Sequence, residues 1–153
     1  MSSLAIISVA IVVACIGPFV LISLNGRRKR RAIIDRLRQA CAPHQFVEEG
    51  CSVWGDSVIG IDVKGETLCF QKDEKTPASL YPLQSLSGCR VAVQHSGDGG
   101  GAIERVELCL LAGKAKAEQR ILFFDSRERL NINNELMLAQ EWQTRLNAIS
   151  KAK

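Results

Sequence analysis

The residues of this chain best suited to metal or nucleophile chemistry are its six cysteines and two histidines. A structural zinc site needs about four such donors brought close together, usually announced by CxxC or HxxxH spacing. Cys15, Cys41, Cys51, Cys69, Cys89 and Cys109 form no CxxC pair, and His44 and His95 each stand alone. No metal site is expected from this pattern. Dispersed, unpaired cysteines suggest buried thiols in a reducing compartment. The 20-residue spacing of Cys69, Cys89 and Cys109 reads as a strand repeat that places small apolar residues in the core.

Other chemistry is equally sparse. "SGDGGG" at 96–101 is glycine-rich but lacks GK[ST] and has no helix after it, so it reads as a hairpin loop and not a phosphate cradle. GxSxG, HExxH and DxDxDG are absent. Asp62 with Glu66, and Asp73 with Glu74, are carboxylate pairs at turns beside Lys64, Lys72 and Lys75, where solvated charge is the default. His95 falls at a strand end. No catalytic residue, enzyme activity or cofactor is expected.

The charge is not evenly spread. Residues 1–45 carry seven Lys/Arg against Asp35 alone, a net +6, and the remaining 108 residues carry 13 bases and 15 acids, a net −2. The cations concentrate in Arg27, Arg28, Lys29, Arg30 and Arg31. A nucleic-acid surface would interleave aromatics with its cations, and this block has none.

Just before the block, Leu4 to Leu24 is 21 residues without a charge, 13 of them Leu, Ile, Val or Phe. As a helix it spans ~31 Å, the thickness of a hydrocarbon core. The insertion scale gives roughly −4 to −8 kcal/mol for those 13 side chains, reduced by Gly17, Pro18 and the serines. A signal peptide puts its cations before the apolar run, and here they follow it. The expectation is a transmembrane helix over 1–25. The positive-inside rule holds the basic flank in the cytosol, with the N-terminus outside. Arg27 to Arg31 then lie at the membrane interface, where anionic lipid adds ~1 kcal/mol per cation. Over 26–43, Ile33, Ile34, Leu37 and Cys41 at helical spacing predict an amphipathic juxtamembrane helix ending before Pro43. It lies either along the headgroups or on the soluble domain.

From residue 44 the period becomes two. Strands are expected at "QFVEE", "SVIGID", "TLCFQK", "ASLYP", "CRVAVQHS", "IERVELCLLA" and, after "GKAKAE", "QRILFFD", with Lys64-Gly65 as a tight turn. "NNELMLAQEWQTRLNAISK" is helical, with an apolar stripe at Leu138, Trp142, Leu146 and Ile149 and Asn134 as N-cap.

Seven strands and then one amphipathic helix is the order of a pleckstrin-homology-like domain, a partly open barrel capped by the helix. The stretches "IGIDVKGETLCFQ", "YPLQSLSGCRVAV", "IERVELCLL" and "AQEWQTRL", with Trp142 on the terminal helix, resemble small bacterial membrane-anchored proteins carrying such a domain, over residues 46–150. The resemblance implies a binding or scaffolding module without catalysis. Lipid-binding members hold phosphates with cations between the first two strands. Here "EEGCSVWGDS" has three acids and no cation, so that activity does not carry over. Trp54 stands out there, either as a core-edge tryptophan or as an anchor for a protein partner or a membrane-interface contact. The expected function is a membrane-tethered platform, at the inner membrane, for an unidentified protein partner, with no nucleic acid and no metal. The alternative is an accessory subunit of a transport or secretion complex that acts mainly through its transmembrane helix.

Overall fold

The computed structural model describes residues 3–97, 100–113 and 117–152. The centre of the glycine-rich loop and of "GKAKAE" fall outside them. The first element, α1, is one helix from Ser3 to Ala40, with Pro18 inside it. Its two halves differ completely in surroundings. Through the apolar half every large side chain from Leu4 to Leu24 is exposed. In the other half Ile33, Ile34 and Leu37 are buried. The amphipathic segment is therefore the continuation of the apolar helix, and it packs on the domain.

Strands β1 (Cys51–Trp54), β2 (Ser57–Ile61), β3 (Thr67–Gln71) and β4 (Ser79–Pro82) form one antiparallel sheet in sequence order. A second antiparallel sheet holds β5 (Leu86–His95), β6 (Ile103–Ala112) and β7 (Ala117–Asp125), and helix α2 (Glu135–Lys151) follows. The domain is thus mainly β, and neither sheet closes on itself.

One expected strand is wrong. "QFVEE" is not extended pairing: Phe46 is buried, and Glu48–Gly50 is a 3-10 turn. The first strand is "CSVW". Trp54 pairs with Ser57 across a two-residue turn, Gly55-Asp56, with Gly55 at φ +56°. A Gly-Asp pair between two apolar runs is a hairpin signal in its own right.

The first sheet is covered on both faces. Ile59, Ile61 and Leu68 join the main core with Leu108, Ile121, Phe123, Trp142 and Leu146. Val58 and Cys69, on the opposite face, join a second core with Ile33, Ile34, Leu37, Cys41, Phe46 and Cys51. This double coverage explains why all of β2 is buried. Helix α1 contributes the lid of the second core, so residues 33–41 are part of the domain.

Helix α2 lies against β5 and closes its open edge with side chains. Asn147 accepts from the Cys89 N–H at 2.9 Å and donates to the Cys89 carbonyl at 3.1 Å. Gln143 accepts from the Val91 N–H at 3.0 Å, and Ser150 donates to the Leu86 carbonyl at 3.3 Å. Asn134 occupies the N-cap position without a side-chain cap. The buried Glu135 takes over, accepting from the Asn133 N–H at 2.7 Å and from Arg129 at 3.1 Å.

Candidate membrane-facing site

The basic block does not act as a unit. Lys29 turns to the domain and pairs with Asp56 at 3.4 Å. Arg30 reaches the Cys51 carbonyl at 3.4 Å and Glu48 at 3.7 Å. Farther along, Arg36 donates to the Asp56 carbonyl at 2.7 Å and to Gln71 at 3.0 Å, and Arg38 donates to the Phe46 carbonyl at 3.0 Å. Arg27, Arg28 and Arg31 are exposed and have no ion pair among the described residues. A cationic helix face thus divides between fastening the domain and facing outward.

These contacts fix which end of the domain is nearest the apolar half of α1. Asp56, just before β2, is held by Lys29 and Arg36. Beyond the end of β2, the Val63 N–H bonds the Gln45 carbonyl at 2.8 Å, past the end of α1. The end of β2 thus lies beside the segment that follows α1. The Gly55-Asp56 turn is proximal through Asp56 and Lys29, and so is Cys51 at the other end of β1, which Arg30 reaches. Lys72, at the end of β3, pairs with Glu128 at 2.7 Å. The Arg129 guanidinium fills the space a side chain at Gly55 would need. The segment from β7 to α2 therefore belongs to that same end.

Trp54 is placed in the core, not at a free loop. It is 5% exposed and stacks on Phe123 with ring centroids 4.3 Å apart, and on Phe70 at 5.9 Å. Of the two readings of Trp54, this placement agrees with the core-edge one: the residue that closes β1 packs between the two sheets, where aromatic faces exclude water. Its own hairpin carried the signal, since a residue directly before a two-residue turn belongs to the strand.

The sequence cysteines are no reactive set. Cys41, Cys51, Cys69, Cys89 and Cys109 are buried and unpaired, and Cys15 is exposed on the apolar half of α1. Burial pushes the Cys89 thiol up to about 11. Burial and a hydrogen bond with Glu118 do the same for Cys109. The bond to Cys41, together with burial, raises Cys69. These three are held as thiols, not as the thiolate that nucleophilic chemistry requires, while the same bond to Cys69 lowers Cys41. Cys109 also departs from expectation: it alternates with Leu108 and Leu110, so it lies on the outer face of its sheet, beneath the Glu118 and Arg120 side chains.

That outer face is a ladder of alternating charges. Arg90 meets Glu118 at 2.9 Å, Arg120 meets Glu107 at 3.2 Å, Arg105 meets Glu107 at 3.1 Å and Arg127 meets Asp125 at 2.9 Å. Asp125 is held down to about 2, chiefly by the Arg127 guanidinium and N–H. Four arginines and three carboxylates interleave on this face.

A hollow of about 380 Å³ is lined by Pro43, His44, Gln45, Asp62, Lys64 and Glu66, among others. His44 Nδ1 lies 3.3 Å from Asp62. Asp62 is already committed to the turn, accepting from the Glu66 and Thr67 N–H groups at 2.8 and 3.1 Å. Among the described residues, no Ser, Thr or Cys nucleophile lines this hollow. Among the described residues no group of three or more His, Cys, Asp or Glu is arranged to hold a metal ion. His95 bonds the Gly101 carbonyl at 3.1 Å.

Comparison with known protein families, with curated proteins and with solved structures gave no match. Helix α1 is long and apolar enough to cross a membrane.

Proposed function

We propose that this chain is a single-pass inner-membrane protein, N-terminus outside, that presents a pleckstrin-homology-like domain in the cytoplasm as a non-enzymatic platform for a protein partner. The observation that carries the reading is the double role of α1. Its apolar half is exposed over a bilayer's length, and its other half is the lid of the second core. A helix that only delivered the chain to an export route would have no reason to be built into the fold. The orientation rests on cations standing at one end of the apolar run only. A four-strand sheet, a three-strand sheet and a terminal helix packed on β5–β7 agree in order with the family named above, and this supports the finer fold reading.

Attachment through a continuous helix does more than confine the domain near the bilayer. It limits the domain's rotation as well, so a partner in the same membrane meets it at nearly constant orientation. Such preorganisation lowers the entropy lost on association.

Testing this reading requires the right fragment. Residues 44–153 lack Ile33, Ile34 and Leu37, whose burial supplies about 1.5–3 kcal/mol each, a sum comparable with the whole stability of a small domain. That fragment is expected to aggregate, whereas residues 27–153 are expected to unfold cooperatively in urea. The intact protein is crosslinked in native membranes, and its partner is then offered to 27–153 in solution. Retention by 27–153 supports the platform. Retention only by chains that include Leu4–Leu24 moves the function into the membrane helix.

A further inference from the structure

Leu130 is 97% exposed, far more than any other large apolar residue outside the apolar half of α1. Its loop is not loose around it. Arg127 is bonded back to Asp125 at 2.9 Å, Glu128 to Lys72 at 2.7 Å and Arg129 to Glu135 at 3.1 Å. Glu135 in turn is 1% exposed and also accepts from the Asn133 N–H. Arg129 is turned into the fold, Arg127 and Glu128 are paired at the surface, and the one apolar side chain is turned out. The loop is tied to its neighbours and carries a greasy tip.

This loop stands beside the Gly55-Asp56 turn, on a part of the domain near the apolar half of α1. Its Arg129 covers Gly55, and the adjoining Asp56 is paired with Lys29. Lys29 is five residues past Leu24, or about 7.5 Å of helix rise. The headgroup layer is itself roughly 5–7 Å deep on each side of the hydrocarbon. If α1 crosses the bilayer, this end of the domain lies against the headgroups.

We infer that Leu130 inserts into the same bilayer that α1 crosses, so that the domain touches the membrane at a second point and is held at a fixed tilt. The ligand is the lipid surface itself: apolar acyl chain for Leu130, anionic headgroups for the outward-facing Arg27, Arg28 and Arg31. The inference rests on the membrane-span reading above.

The test uses the full chain reconstituted into vesicles of phosphatidylglycerol and phosphatidylcholine, with the phosphatidylcholine brominated near the headgroup end of its acyl chains. L130W puts an indole at the tip. Trp54 and Trp142 are buried and supply a constant background. K64W puts an indole on the exposed β2–β3 turn, at the distal end, as control. Insertion predicts blue-shifted, bromine-quenched emission from L130W and none of either from K64W. An unquenched L130W, or equal quenching in both variants, overturns the inference. The span is read separately from the same vesicles: a chain that alkaline carbonate strips from them refutes the membrane-span reading, whereas one that co-floats with L130W unquenched refutes only the second contact.

Discussion

At the scale of single residues, buried polar groups here hold turns and edges. Asp62 shows it. Burial pushes its carboxyl up, yet the Thr67 and Glu66 N–H groups and His44 outweigh this, and its pKa is lowered overall. A depressed folded value contributes stability above the unfolded value of about 3.9 and loses it as pH falls through the folded value. Asp62→Ala leaves two turn N–H groups without their acceptor and is expected to destabilise residues 27–153 by ~1–3 kcal/mol at pH 7. The deficit should narrow in urea titrations below pH 4. A deficit that stays constant down to pH 2 would show that the charge plays no part. Little of this was legible beforehand. Asp62 reads as surface charge because its neighbours Lys64 and Gly65 are turn residues. Only the fold brings His44 and the two amides around it. Trp54 was ambiguous for a similar reason, since an indole beside Gly-Asp suits both a loop and the last residue of a strand.

At the scale of elements, periodicity found β2 to β7 and α2 and missed β1. Strand β1 alternates poorly, because Cys51 and Trp54 are both buried while facing different cores. Phe46 attracted the assignment because it is apolar between polar neighbours, as a strand residue would be. The closing of the β5 edge by Asn147 and Gln143 had no sequence signal, since polar residues on a helix face normally imply solvent. It has a consequence for binding. A peptide cannot add as an extra strand beside β5 without displacing those side chains, so strand addition is confined to other edges. Asn147→Ala is expected to cost about 1–3 kcal/mol and to speed amide exchange at Cys89, with Val91 still protected by Gln143. Unchanged exchange at Cys89 would mean the helix side chain is not what guards that edge.

At the scale of the molecule, the proposed span and the domain share one helix, so on that reading the register of the helix sets how the domain faces the bilayer. Two alanines inserted between Asn25 and Gly26 turn everything below by about 200° and lengthen the helix by only ~3 Å. Urea stability of the inserted 25–153 fragment should match that of its uninserted counterpart, and the full chain should stay carbonate-resistant. In the L130W background the bromine quenching should disappear. Quenching that survives the insertion would show that the domain reorients freely.

The sequence by itself determined the elements whose cause is local. An uncharged run of bilayer length, a one-sided block of cations, six of seven strands and the final helix follow from composition and period over windows of ten to twenty residues. The tertiary structure alone decided that Lys29 and Arg30 fasten the domain, that α1 seals a second core, that Trp54 is interior and that Leu130 stands out beside the proximal turn. Those facts depend on which residues meet across long separations in the chain, and side-chain type carries no record of the partner it will meet.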